Sequence, residues 1–564
     1  MQPAQPPGTA ATGRWRAARA SGGFGVSPGR VIEVPVLIVG AGPAGLCASI
    51  LLSQHGIESL TVEKHPGTSI YPRATGINVR SMEIFRSLGL QDEVSRASFK
   101  AEPRIAFSRA LTDSEPNVSP TFRPDHLDVS PAEWTSCSQK ELEPILLRAA
   151  CSHRQAQLLF GTELLGFDQT CDGITAQIGD RVNGRRRDVR CRYLIACDGS
   201  RSSVRERLGV RMFGPGVLNH NVSIHFSAPL GRYIPMGRNF LHFVQNEEVM
   251  GMFVATDGGS RWVFAIPYHP EQGETPDAVT KVRAVDLVRK GAGVPGLEVD
   301  VIGIVPWRME ADCAERLRLG NVFLAGDAAH RMTPAGGLGM NTAIQDVHNL
   351  CWKLAAVLRG WAGPALLETY EAERRPVGQQ NVDRSVGLIT GGGNVGDRSA
   401  LDFDLGIVYQ STAVHPDGTE RPSGAGGEFV PSARPGSRAP HVWLGRVSTL
   451  DLFGPHFTLL AGPRGVSWRA AVTKAARELE FPLMDRSRGR DTDRHAWQRC
   501  YGVGESGAVL VRPDGHVAWR RSASVAAPAQ ELDRVLNTVL SRSSEEVSDL
   551  VTPDLDRLTS LTAS

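Results

Sequence analysis

The stretch Val34–His65, VPVLIVGAGPAGLCASILLSQHGIESLTVEKH, decides the fold. Val34 to Val39 is continuously apolar and, apart from Pro35, β-branched or leucine, which predicts a strand buried on both faces. A helix is predicted from about Gly42 to His55, with Gly56 just past its end. A second strand is predicted over Ser59–Glu63. Strand, helix and strand within about 30 residues open a parallel α/β sheet. Between the first strand and the helix lies Gly40-Ala41-Gly42-Pro43-Ala44-Gly45. Gly40 permits the tight turn, Gly42 removes the side chain that would hold a pyrophosphate off the backbone, and Gly45 lets the helix pack on the sheet. The helix start, at Pro43 and Ala44, offers free N–H groups and a positive dipole end to phosphates. Glu63 follows Gly45 by 18 residues, where a carboxylate accepts from ribose hydroxyls, and Lys64 comes next. The competing reading is a chance glycine-rich turn, but a strand before, a helix after and an acid at this distance favour a dinucleotide site. The fingerprint alone does not separate NAD from FAD.

The rest of the chain sets bounds. Its 564 residues suit about three or four domains, and 41% hydrophobic with 22% charged residues excludes wholesale disorder. Net charge is +2; residues 1–30 hold four arginines and no acid, hence +4, which leaves −2 for the remainder. That tail reads as a disordered extension rather than a nucleic-acid arm, and it lacks the apolar segment of a secretory signal. The longest apolar stretch, Val34–Cys47, is broken by Gly40, Gly42, Pro43 and Gly45, so no membrane span is expected. Nine cysteines, with no CxxC, point to a reduced, cytoplasmic protein, and no metal site is assigned.

Two further motifs follow predicted strands. Asp198-Gly199-Ser200-Arg201-Ser202-Ser203-Val204-Arg205 comes after Tyr193–Cys197, and Ser203 with Glu206 has capping-box spacing. By itself this is an ordinary capped strand–turn–helix. Gly326-Asp327-Ala328-Ala329-His330 closes the strand Asn321–Asp327, where a buried carboxylate needs a partner. Pro334, Gly336-Gly337-Leu338-Gly339-Met340 and a helix expected over about Asn341–Leu358 follow it. Glycines there let backbone approach a flat ring, and a helix N-terminus suits an anionic one. His330 reads as a structural histidine beside the strand end.

The five stretches VLIVGAGPAGLCASILLSQHGIESLTVEKH, YPRATGINVRSMEIFRSLGL, SCSQKELEPIL, YLIACDGSRSSVR and VFLAGDAAHRMTPAGGLGMNTAIQDVHNLCWKLA, in this order over about residues 34–385, resemble the FAD-dependent aromatic hydroxylases. These are single-component (group A) flavoprotein monooxygenases, and the likeness is nearest to the bacterial polyketide hydroxylases of antibiotic biosynthesis. The resemblance implies that Gly40, Gly42, Gly45 and Glu63 hold the ADP half of FAD, and Arg73 lies near the pyrophosphate and flavin ring. It implies that Gln139 meets the ribityl chain, Asp198 and Gly199 serve FAD and the transient nicotinamide, and Asp327 binds ribityl hydroxyls. Pro334 and the backbone of Gly337, Leu338, Gly339, Met340 and Asn341 would meet the flavin ring. It also implies NADPH (or NADH) as hydride donor, O2 as co-substrate and a flavin C4a-hydroperoxide attacked by a phenolic, polycyclic polyketide-type ring.

The expected fold class is α/β. A Rossmann-type FAD-binding domain spans 31–210 and 310–395, and an inserted antiparallel sheet over 211–309 serves the substrate. A linker, 396–440, leads to a thioredoxin-like domain over 441–545, then a tail, 546–564. The last domain resembles thioredoxin around GAVLVRPDGHVAWR, but with Cys500 as its one cysteine it has no dithiol chemistry. No catalytic residue is assigned; His225, Tyr233, His242 and Tyr268 of the inserted sheet are candidates to deprotonate a phenol, and the Phe240–Phe253 region is expected to line the substrate cavity. The partner is a small aromatic molecule, with no nucleic acid or membrane, and the chain is a monomer or homodimer. Baeyer–Villiger insertion, epoxidation and a flavin-binding protein that sequesters an intermediate stay open.

Overall fold

The computed structural model describes residues 31–99, 102–119, 128–234, 239–257, 259–391, 400–420, 428–478, 483–485 and 494–542. The expectations for residues 1–30 and 546–564 lie outside the described residues. Among those described, no helix is long and apolar enough to cross a membrane.

The strand Ile32–Val39 forms and lies in the middle of the first sheet. It pairs in parallel with Ser59–Glu63 on one side and Arg186–Ala196 on the other; Ala156–Phe160 and Val322–Leu324 extend the sheet in parallel at either end. Val36, Leu37 and Ile38 are fully buried, as a continuously apolar strand covered on both faces requires. The helix Pro43–Gln54 covers one face and packs on the long helix Leu338–Leu358.

Eight strands make the second sheet. Met212–Ser227, Arg261–Tyr268, Met250–Ala255 and Asn239–Gln245 run as an antiparallel series, with Asp300–Ala314 on the other side of Met212–Ser227. The sheet is wider than 211–309. Glu102–Ser108 and Asn117–Val118 add to its edge, where Phe107 stacks on Phe243 with ring centroids 5.3 Å apart, and Asp300–Ala314 runs on to pair with His330–Arg331. One face of this sheet buries Val222, Ile224, Phe226, Phe253 and Phe264 against the helix Lys281–Ala292.

The third unit has strand order Leu483–Asp485, Phe457–Ala461, Ala508–Val511, Val517–Arg521, with the first pair parallel and the others antiparallel. The helix Val466–Glu478 connects the parallel pair, giving thioredoxin-like topology. The segment before it is not the loose linker expected from its glycine, serine and proline content. Tyr409, Ala413, Ala433 and Arg438 in it are buried. Arg438 Nε donates to Glu83 Oε2 at 3.0 Å, and Arg374 Nη1 donates to the Tyr409 hydroxyl at 3.0 Å. The segment's described parts, 400–420 and 428–440, form a strap between the first and third units, held by polar bonds that composition does not reveal.

Candidate functional site

Three adjacent parallel strands place the three motifs side by side. In order across the sheet they are Val322–Leu324, Arg186–Ala196 and Ile32–Val39, and their C-terminal ends run into Gly326-Asp327, Asp198-Gly199 and Gly40-Ala41-Gly42. In an open α/β sheet the crevice at such strand ends is where a dinucleotide lies. The contacts are close. Gly40 has φ +101°, and a Cβ there would run into the Cys197 carbonyl; one on Gly45 would run into the Gly40 carbonyl. Gly326 sits between Ala343 of the long helix and Ala44 of the first, where a Cβ would come within 3.0 Å and 3.7 Å of their β-carbons.

Gly42 differs from its neighbours. Its φ is −73°, available to any residue, and a Cβ there would meet no protein atom within 4 Å. Neither conformation nor packing calls for glycine at this point, whereas a ligand lying on the backbone does. The same open space lies beside Gly337 and Gly339. These glycines, with the open helix starts beside them, fit the two ends of an FAD.

Glu63 Oε2 accepts from the Ala41 N–H at 2.9 Å and Oε1 from the His65 N–H at 2.9 Å, so the acid fastens the phosphate turn and keeps lone pairs for a ribose. Lys64 and Arg73 are exposed, and Arg73 makes no ion pair among the described residues. Gln139 starts the helix Gln139–Ser152; its N–H donates to the Ala74 carbonyl at 2.7 Å and its amide to Glu143 Oε1 at 2.6 Å, which ties it to the Arg73 loop.

Asp198 caps the short helix Ser203–Arg207. Its Oδ2 accepts from the Val204 N–H at 3.2 Å, while Oδ1 is buried without a hydrogen-bond partner among the described residues. Burial pushes its carboxyl above the ordinary value. The N-cap is Ser202, accepting from the Arg205 N–H at 3.0 Å, not the expected Ser203–Glu206 box, because Asp198 already occupies the start of this helix. Arg205 Nη1 donates to the Ala328 carbonyl at 3.1 Å and Nη2 to the Ser200 carbonyl at 3.0 Å, binding the second motif to the third.

Asp327 does not end a buried strand. The strand stops at Leu324, and Asp327 stands exposed in a 3-10 turn, Gly326–Ala328. Neighbouring protein still pushes its carboxyl up through desolvation, against the pull of His330, Arg73 and Arg331. An exposed acid with crowded surroundings sits on the floor of a cleft. The long helix begins three residues earlier than expected, at Leu338 after Gly337 with φ +62°, since the glycine supplies the left-handed turn that lets it start. Leu338, Gly339 and Met340 therefore present the unpaired first-turn N–H groups. Asn341 is buried. Its amide donates to the carbonyls of Gly337 at 2.7 Å and Gly76 at 3.1 Å, and its Oδ1 accepts from the Asn78 N–H at 3.0 Å, so it clamps the glycine turn to the Arg73 loop.

Sequence reading missed Asp346, which accepts from the Gly326 N–H and from His330 and Arg374. The signal was there: Thr342, Asp346, Asn349 and Lys353 form a polar stripe at helical spacing. Such a stripe ordinarily faces water, but here it faces the helix Glu368–Thr390 and the third unit. His330 is the expected structural histidine, with Nε2 2.7 Å from Asp346 Oδ2.

Of the four candidate bases, only His225 lies on the second sheet's face toward the FAD half, where Tyr71 of the Arg73 loop packs on it with ring centroids 4.6 Å apart. His242 is cross-strand from Phe253 on the opposite face, Tyr268 leans on His220 at the strand end, and Tyr233 is exposed on a turn. Phe253 also belongs to the opposite face, because strand alternation within Phe240–Phe253 divides the region between two faces. The face toward the FAD half carries Phe243, Met252, Val254, Val305 and Trp307, all partly exposed.

Residues 33–385 match the family described as FAD binding domain, and residues 432–543 match aromatic-ring hydroxylase, C-terminal. Aklavinone 12-hydroxylase RdmE of Streptomyces purpurascens is 39% identical, over 90% of this chain and 99% of that one. Tetracenomycin A2 monooxygenase-dioxygenase of Streptomyces glaucescens is 38% identical, over 91% of this chain and 98% of that one. A crystal structure of aklavinone-11 hydroxylase with FAD and aklavinone superposes with a TM-score of 0.84 at 38% identity, covering 91% of this chain and all of that one. The chain thus belongs to the FAD-dependent aromatic-ring hydroxylases, a family of flavoprotein monooxygenases.

Proposed function

We propose that the chain hydroxylates a phenolic, polycyclic aromatic substrate of polyketide type, with NADPH or NADH as reductant and O2 as oxidant. The observation that carries this reading is the meeting of two surfaces: three strand ends built for FAD, and a half-open apolar sheet face that touches the Arg73 loop through Tyr71 and His225. The relatives named for aklavinone and tetracenomycin support the same class.

When bound, FAD supplies the two-electron reduction and the activation of O2. The chain's residues do the rest. The turn Gly40–Gly45 and the start of its helix hold the pyrophosphate, and Glu63 takes the ribose. Asp327 would offer its carboxylate to the ribityl hydroxyls, together with Arg73 on its loop and Gln139 at the helix start bonded to that loop. The N–H groups of Leu338, Gly339 and Met340 would favour negative charge on a bound flavin ring. Phe243, Met252, Val305 and Trp307 give a flat ring an apolar wall and displace water from it.

The test is a substrate panel of anthracycline, angucycline and simple phenols, scored by NADPH consumption coupled to product mass and NMR. A gain of one oxygen on a ring carbon is expected with a polycyclic phenol. NADPH oxidation that no compound stimulates, or a lactone or epoxide as the product, contradicts the reading.

A further inference from the structure

On the sheet face toward the FAD half, Asn221 and His225 are 6% and 7% exposed, yet Asn221 Nδ2 and His225 Nδ1 have no hydrogen-bond partner among the described residues. A buried polar atom left unpaired is costly, and native proteins keep one where something else completes it. The surroundings of both are apolar or already satisfied. Val263 and Gly303 flank His225 on the neighbouring strands, Pro267 and Trp307 flank Asn221, and the Trp307 indole N–H is spent on Ser223 Oγ at 2.9 Å. Gly303 leaves room for the Tyr71 ring, since a Cβ there would come within 2.6 Å of the Tyr71 hydroxyl. Tyr71 therefore walls the His225 end of the face, two residues from Arg73. Burial lowers the imidazole to about 4, so it is neutral and keeps one accepting nitrogen.

We infer that His225 and Asn221 are the recognition pair of the substrate site: the imidazole accepts from a phenol hydroxyl at the end of the ligand nearest the Arg73 loop, and the Asn221 amide donates to a ring oxygen at the far end. The two residues are four apart on one strand, about 13 Å along it. That span selects a ligand of several fused rings with oxygens at both ends over a single-ring phenol. The inference rests on the proposed function, and its test separates the two.

The test titrates FAD-loaded enzyme with 2,6-dihydroxyanthraquinone and with its dimethyl ether, which keeps the acceptors and loses the donors, following the flavin absorbance. Wild type is expected to favour the diphenol by about tenfold. His225→Phe is expected to abolish that preference, and His225→Asn, which retains an acceptor, to restore part of it. Asn221→Leu is expected to weaken both compounds alike and leave the preference intact. A preference that survives in His225→Phe overturns the inference, as does one that is absent from both histidine variants and from wild type alike while both compounds bind. Where His225→Phe loses its flavin, His225→Asn decides: a preference fully lost in it while FAD stays bound overturns the role of an acceptor at this position. Wild type that holds no FAD, or that binds neither compound, overturns the proposed function instead.

Discussion

The backbone N–H of Gly326 donates to Asp346 Oδ2 at 3.0 Å, so the third motif hangs from the middle of the helix whose first turn faces the same cleft. The other oxygen of that carboxylate accepts from Arg374 Nε at 2.9 Å. Burial pushes the carboxyl up, but His330 and Arg374 outweigh it and hold the group below the ordinary carboxylate value. Asp346→Asn leaves Arg374 buried without its counter-charge, at a cost of about 3–5 kcal/mol. Urea unfolding should report that loss, and flavin absorbance should report weaker FAD retention, because Gly326 and Asp327 move together.

The third unit is locked to the first by charge. Glu373 Oε1 and Oε2 accept from Arg512 Nη1 at 2.6 Å and Nη2 at 2.8 Å, and Oε2 also accepts from Lys353 Nζ at 2.7 Å, all three residues fully buried. The Trp352 indole N–H donates to Asp514 Oδ2 at 3.1 Å across the same boundary. Lys353 and Trp352 belong to the helix that begins at the glycine turn. Arg512→Met should therefore cost about 3–5 kcal/mol and lower the temperature at which FAD fluorescence is released. Release of FAD at the wild-type temperature would separate the two units energetically.

Acid should destabilise the protein through its buried histidines. His516 and His441 are buried, and burial lowers them to about 3 and about 4. Below about pH 6.5 the unfolded chain binds protons there that the native protein does not, so stability falls with falling pH, by about 1.4 kcal/mol per unit for each histidine. The loss begins near pH 6.5 and ends near the folded values. Asp404, held up at about 6 by burial, takes a proton in the folded state and offsets one histidine over the range below that value. Urea midpoints between pH 7 and pH 4.5 should fall steadily, and His516→Gln should flatten the slope.

The nucleotide half was legible because local rules coincide there: an apolar strand, a glycine turn and a helix in one short run each needed only their own residues. The same holds for Ala508–Val511 and Val517–Arg521, which turn at Pro513-Asp514-Gly515. What stayed hidden depends on partners remote in sequence. Arg438 lies in a glycine- and proline-rich stretch and finds Glu83 across 355 residues. Asp346 looks like a solvated helix residue until the helix Glu368–Thr390 covers it with Arg374. Glu102–Ser108 joins the second sheet through a parallel partner, Asn239–Gln245, far along the chain, and a two-residue period carries no information about which sheet a strand enters.

The central claim, that backbone at one glycine turn lies against FAD, is tested most directly by the flavin content of Gly42→Val. Wild type should carry about one FAD per chain. Gly42→Val should fold with the wild-type circular dichroism spectrum, since a Cβ at this position meets no protein atom within 4 Å, and should be colourless even after incubation with FAD. A Gly42→Val protein as yellow as wild type, or a wild-type protein that cannot be loaded with flavin, would contradict the account.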